Sequence, residues 1–155
     1  MTRHRTALLL TAAFILGGCN SAVTNEDLAT LTGIWTGEGR SYVSSQPPDS
    51  IPAAVTIVID TNGAVTGSAG GARFTEAYVH RNRGAVARWL GVETDYKIEG
   101  FLSGRLSAAD TSTAERRDIA IPFSIEADTL RGTLFVEMPW RYPYPVMPKL
   151  RLTKR

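Results

Sequence analysis

The sequence predicts an all-β domain: a small antiparallel β-barrel of about eight strands, with a β-sandwich as the alternative. Three observations carry this. Short runs alternate apolar and polar residues with period two, most cleanly at Ile119, Ile121, Phe123 and Ile125 against Ala120, Pro122, Ser124 and Glu126. Turn-forming residues separate the runs, as at Thr61-Asn62-Gly63. No long helical pattern follows residue 19, and antiparallel sheets of this size remove their edges by closing or stacking.

The chain opens differently. Arg3, His4 and Arg5 precede an apolar run from Ala7 to Leu16. A short apolar run behind a basic start is a secretory pattern, and it is too short to span a bilayer as a stable helix. Leu16-Gly17-Gly18-Cys19 then places an apolar residue and two small ones before the chain's single cysteine. This resembles the lipobox of bacterial lipoproteins over residues 1–19. The resemblance implies a signal peptide over 1–18, a diacylglycerol thioether on Cys19, and a lipidated tether over 19–31 ahead of a barrel domain over 32–155. Asn20, where such proteins often carry Asp for inner-membrane retention, implies the periplasmic face of the outer membrane.

Removing 18 of the 155 residues leaves 137, one domain with a real core. Two of the 17 basic residues, Arg3 and Arg5, go with the leader, so 15 bases face 15 acids in the remainder. That balance gives no reason to expect nucleic acid. With Cys19 acylated, no thiol is left for disulfides, zinc–thiolate sites or redox work.

Within the tether, Asn25 followed by Glu26 and Asp27 predicts the cap of one short helical turn, with Leu28 and Leu31 plugged onto the domain. Gly33-Ile34-Trp35 opens a strand to about Arg40, and Tyr42 to Pro52 reads as a loop. Val55, Ile57 and Ile59 form one face of the next strand, which turns at Asn62-Gly63 and returns over Ala64 to Ser68. Gly67, Gly70 and Gly71 mark a bend or bulge. Phe74 to His80 is a strand with Phe74, Glu76 and Tyr78 on one side, followed by a turn at Asn82-Arg83-Gly84. Ala85 to Leu90 fits a strand or a helical turn equally. Thr94 to Leu106 holds two strands around Gly100 or one long bent strand, and Ala109 to Glu115 is a polar loop. Pro122 cannot donate to a ladder and marks an edge or a bulge. Ala127-Asp128 turns the chain into the alternation of Leu130, Leu134 and Val136, and Leu150 and Leu152 end it. The last strand pairs with the Trp35 strand to close the ring.

Gly33-Ile34-Trp35 and Thr94-Asp95-Tyr96 resemble the Gly-x-Trp and Thr-Asp-Tyr motifs of the lipocalins. That resemblance implies a lipocalin-like or avidin-like barrel with these residues at one closed end, away from any ligand. It also implies a late arginine over the Trp, either Arg141 or Arg151. Three or four strand-like runs follow Thr-Asp-Tyr here, where the lipocalin pattern has two.

The chemistry-bearing residues are sparse. His80 has no Gly-x-Ser-x-Gly elbow or comparable partner and reads as a surface histidine at a strand end. One histidine after the leader and scattered acids do not make a metal site, and Glu93, Asp95 and Glu99 read as alternating solvent-facing acids. No catalytic site and no cofactor beyond the covalent lipid are expected. Arg81, Arg83, Arg88 and Trp89 form a basic–aromatic patch, either a place for an anionic headgroup or a sugar on Trp89, or a charged loop with the indole tucked inward. Met138 to Pro148 holds four prolines in eleven residues, which favours extended backbone. Trp140, Tyr142 and Tyr144 alternate along it, either as contacts across a barrel mouth or as a plug. The expectation is a lipid-anchored, non-enzymatic binding module for a small apolar ligand or an envelope protein. The alternative is a structural lipoprotein whose barrel is filled by side chains, since eight strands permit either interior.

Overall fold

A computed structural model describes residues 22–43, 51–82, 94–112, 114–137 and 150–155. It begins with helix α1 (Asn25–Leu31). The N-cap is Thr24, one residue before the Asn25 expected from sequence. The Thr24 hydroxyl accepts from the Asp27 backbone N–H at 3.2 Å, and the Asp27 carboxylate accepts from the Thr24 N–H at 2.8 Å. This reciprocal pair satisfies two of the N–H groups a helix start leaves open. Seven residues are too few to hold a helix alone, so tertiary packing keeps it. Leu31 is fully buried and Leu28 packs against the core, as the sequence predicts.

Nine strands follow among the described residues: β1 (Gly33–Val43), β2 (Ile51–Ile59), β3 (Ala64–Ala69), β4 (Ala72–Arg81), β5 (Tyr96–Ser103), β6 (Arg116–Glu126), β7 (Thr129–Gly132), β8 (Leu134–Val136) and β9 (Leu150–Lys154). Each strand from β1 to β6 pairs antiparallel with the next, and β9 sits between β7 and β1, pairing antiparallel with both. The result is a closed eight-stranded antiparallel barrel with one extra strand, as the sequence predicts; the sandwich alternative is excluded by the closure. The closing pair is the expected one, with Trp35 opposite Lys154 and Gly37 opposite Leu152.

The ninth strand narrows the ring. β7 and β8 keep one constant register along β6, from Glu126 opposite Thr129 to Ile119 opposite Val136. They are two halves of one line, and the break between them is Thr133, which faces Pro122. Thr133 donates its N–H to the Pro122 carbonyl at 3.2 Å, but proline has no N–H to return. Pro122 therefore marks neither a sheet edge nor a bulge, since β6 is paired on both sides; it marks this interruption. Beyond it, β9 is no longer present, and Ser41, Tyr42 and Val43 of β1 pair directly with Leu134, Phe135 and Val136 of β8. That pairing is parallel, because a ring of seven alternating strands must contain one parallel pair. The barrel thus has a wide, eight-stranded end and a narrow, seven-stranded end.

Two other expectations are corrected. Tyr42 and Val43 belong to β1 and Ile51 and Pro52 to β2, so less of 42–52 is loop than predicted. Phe74, Glu76 and Tyr78 do not share a face. The β4–β5 register shifts between Thr75 and Tyr78, and Glu76 sits at φ 48°, a bulge that reverses strand parity. Phe74, Ala77 and Val79 point inward and Tyr78 is exposed. Thr94 to Leu106 resolves into the single strand β5. Ala85 to Leu90 lies outside the described residues.

The interior is packed by the inward side of every strand, from Trp35, Ile57 and Ile59 to Ile98, Ile121, Phe123, Leu130 and Leu152. Glycines allow the tight wall where β9 is wedged. A Cβ at Gly37 would lie 2.2 Å from the Arg151 carbonyl oxygen, and one at Gly132 would lie 2.5 Å from that of Pro122.

Candidate functional site

The wide end is closed by α1. The Trp35 indole stands under it and donates its N–H to the Leu31 carbonyl at 2.8 Å, which satisfies one of the acceptors that a helix C-terminus leaves open. Lys154 places its ammonium 5.4 Å from the Trp35 ring centre and donates to the Thr30 carbonyl at 2.8 Å. Among the described residues, the cation over this Trp is Lys154. Arg151, one of the two arginines expected there, alternates outward on β9 and is exposed; Arg141 lies outside the described residues.

A second clamp ties α1 to the wall. Asp27 is buried and its carboxylate accepts from Arg81 through Nε at 2.7 Å and through Nη2, from the Tyr96 hydroxyl at 3.0 Å, and from the Thr24 hydroxyl at 2.9 Å. The Arg81 guanidinium above all, then Thr24 and Tyr96, holds the Asp27 carboxyl well below the usual carboxylate range, against the opposing effect of burial. Burial first, then the neighbouring Asp27 carboxylate, pushes the Tyr96 phenol up. Tyr96 closes the Thr94-Asp95-Tyr96 motif, so both lipocalin-like tripeptides meet at this one end.

The narrow end is closed by residues 104–112. Leu106 is 2 % exposed, and its carbonyl accepts from the Gly71 N–H at 3.1 Å. Arg117 extends the inward series of Ile119, Ile121 and Phe123 by one step, so its side chain enters the barrel. There it meets Asp110, and its Nη2 donates to the Gly104 carbonyl at 2.6 Å. Burial works to raise the Asp110 carboxyl, but donors from Arg117 and from the Leu106 and Ser112 backbone outweigh it and the net shift is downward. Arg117 Nε is buried with no hydrogen-bond partner among the described residues. Sequence reading missed this pair. Its only signal was that the period-two series continues back from Ile119 onto an arginine.

The outer wall carries a belt of directly opposed side chains. Tyr78 faces Glu99, Glu99 faces Ala120, Ala120 faces Phe135, and Phe135 faces Tyr42. Tyr78 is 51 % exposed, and the Tyr42 and Phe135 rings sit 5.9 Å apart. Lys97 pairs with Glu99 at 2.6 Å. Beside the belt, Arg116 grips the bulged Glu76 with two hydrogen bonds, at 3.0 and 2.6 Å, and lies 3.5 Å over the Phe101 ring.

Of the residues singled out from sequence, Arg83, Arg88, Trp89, Trp140, Tyr142, Tyr144 and Cys19 lie outside the described residues, as does Glu93. His80 is half-buried near the end of β4, and Asp95 is exposed just before β5. Among the described residues, no three His, Cys, Asp or Glu side chains converge to hold a metal ion. No family model, curated protein or solved structure matches this chain.

Proposed function

We propose that this chain is a lipid-anchored, non-enzymatic protein of the cell envelope that holds a protein partner on the outside of its barrel. The observation that supports this most directly is that the chain occupies its own barrel from both ends. Trp35 and Leu31 fill the wide end, and Leu106 with the Arg117–Asp110 pair fills the narrow one. An eight-stranded barrel has room for packed side chains or for one small ligand, and this interior favours the first. The binding surface is then the wall, with the adjacent Tyr42 and Phe135 rings at its centre. The Gly33-Ile34-Trp35 corner, with Leu31 and Lys154 around the indole, supports a lipocalin-type closed end. The anchor in this reading is the acylated Cys19, on the periplasmic face of the outer membrane, with no other cofactor.

The test is native mass spectrometry of the protein purified from its own envelope. A protein that co-purifies, is lost from Tyr42→Ala and is kept by Ala108→Ser supports the wall. A small apolar molecule retained by the folded barrel overturns it in favour of a cup. A Cys19→Ser variant that stays in the membrane fraction overturns the anchor.

A further inference from the structure

We propose that the wide end of the barrel rests against the lipid leaflet that carries the Cys19 acyl chains, and that the narrow end faces away from it. This rests on the anchor reading above. The argument is one of reach. Cys19 lies three residue steps before Ala22, where the described chain begins. Even fully extended, three residues span only about 10–11 Å. From Ala22 the chain runs directly into the wide end: Val23 Cγ2 lies 3.6 Å, and Leu28 Cδ2 3.5 Å, from the Cβ position of Gly63 in the β2–β3 turn. The wide rim is therefore leashed within about one helix diameter of the bilayer surface.

The narrow end has no such leash. The nine residues of β2 run from one end to the other. At a rise of about 3.3 Å per residue and a tilt of 35–45°, the wall stands roughly 23 Å tall. That exceeds the leash by about twofold, so the barrel cannot stand inverted, with the 104–112 closure against the lipid and the wide rim away from it, while α1 remains docked. The Asp27–Arg81 clamp and the Trp35–Leu31 hydrogen bond keep it docked.

The rim does not need an anionic leaflet. Among the described residues, Glu26, Asp60 and Asp128 stand there beside Lys154 and Arg155, so the described part of the rim is mixed in sign rather than basic. Several acyl chains on one residue suffice for stable anchoring without a polybasic patch. In this orientation the belt residues Tyr42 and Phe135, near the narrow end, are held clear of the bilayer and open to a partner.

The experiment uses the full lipidated chain in vesicles of brominated phosphatidylcholine. With Cys19 acylated, a cysteine introduced by Asn62→Cys (wide rim) or Ala108→Cys (narrow closure) is the single free thiol for a bimane label. Both positions are exposed, so folding is retained. The Asn62→Cys label is expected to lose most of its fluorescence and the Ala108→Cys label to keep nearly all of it, with the same result when anionic lipid is added. Flotation with the vesicles but equal quenching, or stronger quenching at residue 108, overturns the orientation alone. Failure of the protein to float overturns the anchor and the orientation with it.

Discussion

Arg117 and Asp110 form an ion pair inside the narrow end of the barrel, with Nη2–Oδ2 at 2.8 Å, Nη1–Oδ1 at 3.0 Å and neither side chain exposed. Such a pair loses much of its Coulomb attraction to desolvation, and the unpartnered Arg117 Nε adds to that cost. Its value here is positional. One carboxylate also accepts from the Leu106 N–H at 2.8 Å and the Ser112 N–H at 3.2 Å, so it fixes the path of the closing loop.

Removing one partner is expected to cost far more than removing both. Asp110→Ala leaves a buried guanidinium uncompensated and should cost about 3–5 kcal/mol. Arg117→Met with Asp110→Asn removes both charges and keeps a carbonyl oxygen for the buried Leu106 N–H, though not for the Ser112 N–H that bonds the other oxygen, so it should recover a good part of that loss. Urea unfolding of the three proteins reads this out. A double variant as unstable as Asp110→Ala would refute the positional account.

Asp27 sets the acid limit of the helix clamp. Its folded-state pKa is below the unfolded value of about 3.9, so its stabilisation is complete above that value and is lost as the pH falls below about 4. Asp110 is shifted in the same direction and contributes to the same limb. Asp27→Asn should cost about 1.5–3 kcal/mol at neutral pH, the range for hydrogen bonds to a charged group, and should flatten the acid limb. Urea midpoints measured from pH 6 to pH 2 test it. Parallel curves for the wild type and the variant would remove Asp27 from the explanation.

What was legible in the sequence was whatever repeats. Val55, Ile57 and Ile59 and the series from Ile119 to Ile125 announce their buried face because a strand's side chains alternate. What was not legible depends on single events. The bulge at Glu76 places a glutamate in left-handed backbone, where no glycine or asparagine signals it, and one such residue inverts the faces of the rest of β4. Pro122 was read as disrupting its own strand, yet the disruption appears on the neighbouring one, at Thr133. Thr24 caps α1 because its hydroxyl and the Asp27 carboxylate fit together, a match that Asn25 beside it obscured. Charge pairs such as Asp27–Arg81, 54 residues apart, depend on closure of the ring and leave no local pattern.

The seam between β1 and β9 is where the barrel should be easiest to open. β9 has only five residues and is wedged between two strands that pair directly with each other's line once it ends. Gly37 sits in the middle of that seam, and an added methyl would meet main chain on the other side: the Arg151 carbonyl oxygen at 2.2 Å and Leu152 Cα at 3.1 Å. Neither can swing away as a side-chain tip could, so the strands must separate. Separation withdraws Leu150 and Leu152 from the core, each worth roughly 1.5–3 kcal/mol when fully buried. Gly37→Ala is therefore expected to cost at least about 3 kcal/mol, beyond the usual range for one extra core methyl. Thr153→Ala, an exposed change on the same short strand, should stay within about 0.5 kcal/mol. Thermal melting separates the two, and hydrogen exchange locates the damage: the β9 amides should lose protection before those of β2–β5 in Gly37→Ala. If Gly37→Ala melts with the wild type, the tight seam is not what holds the ring shut.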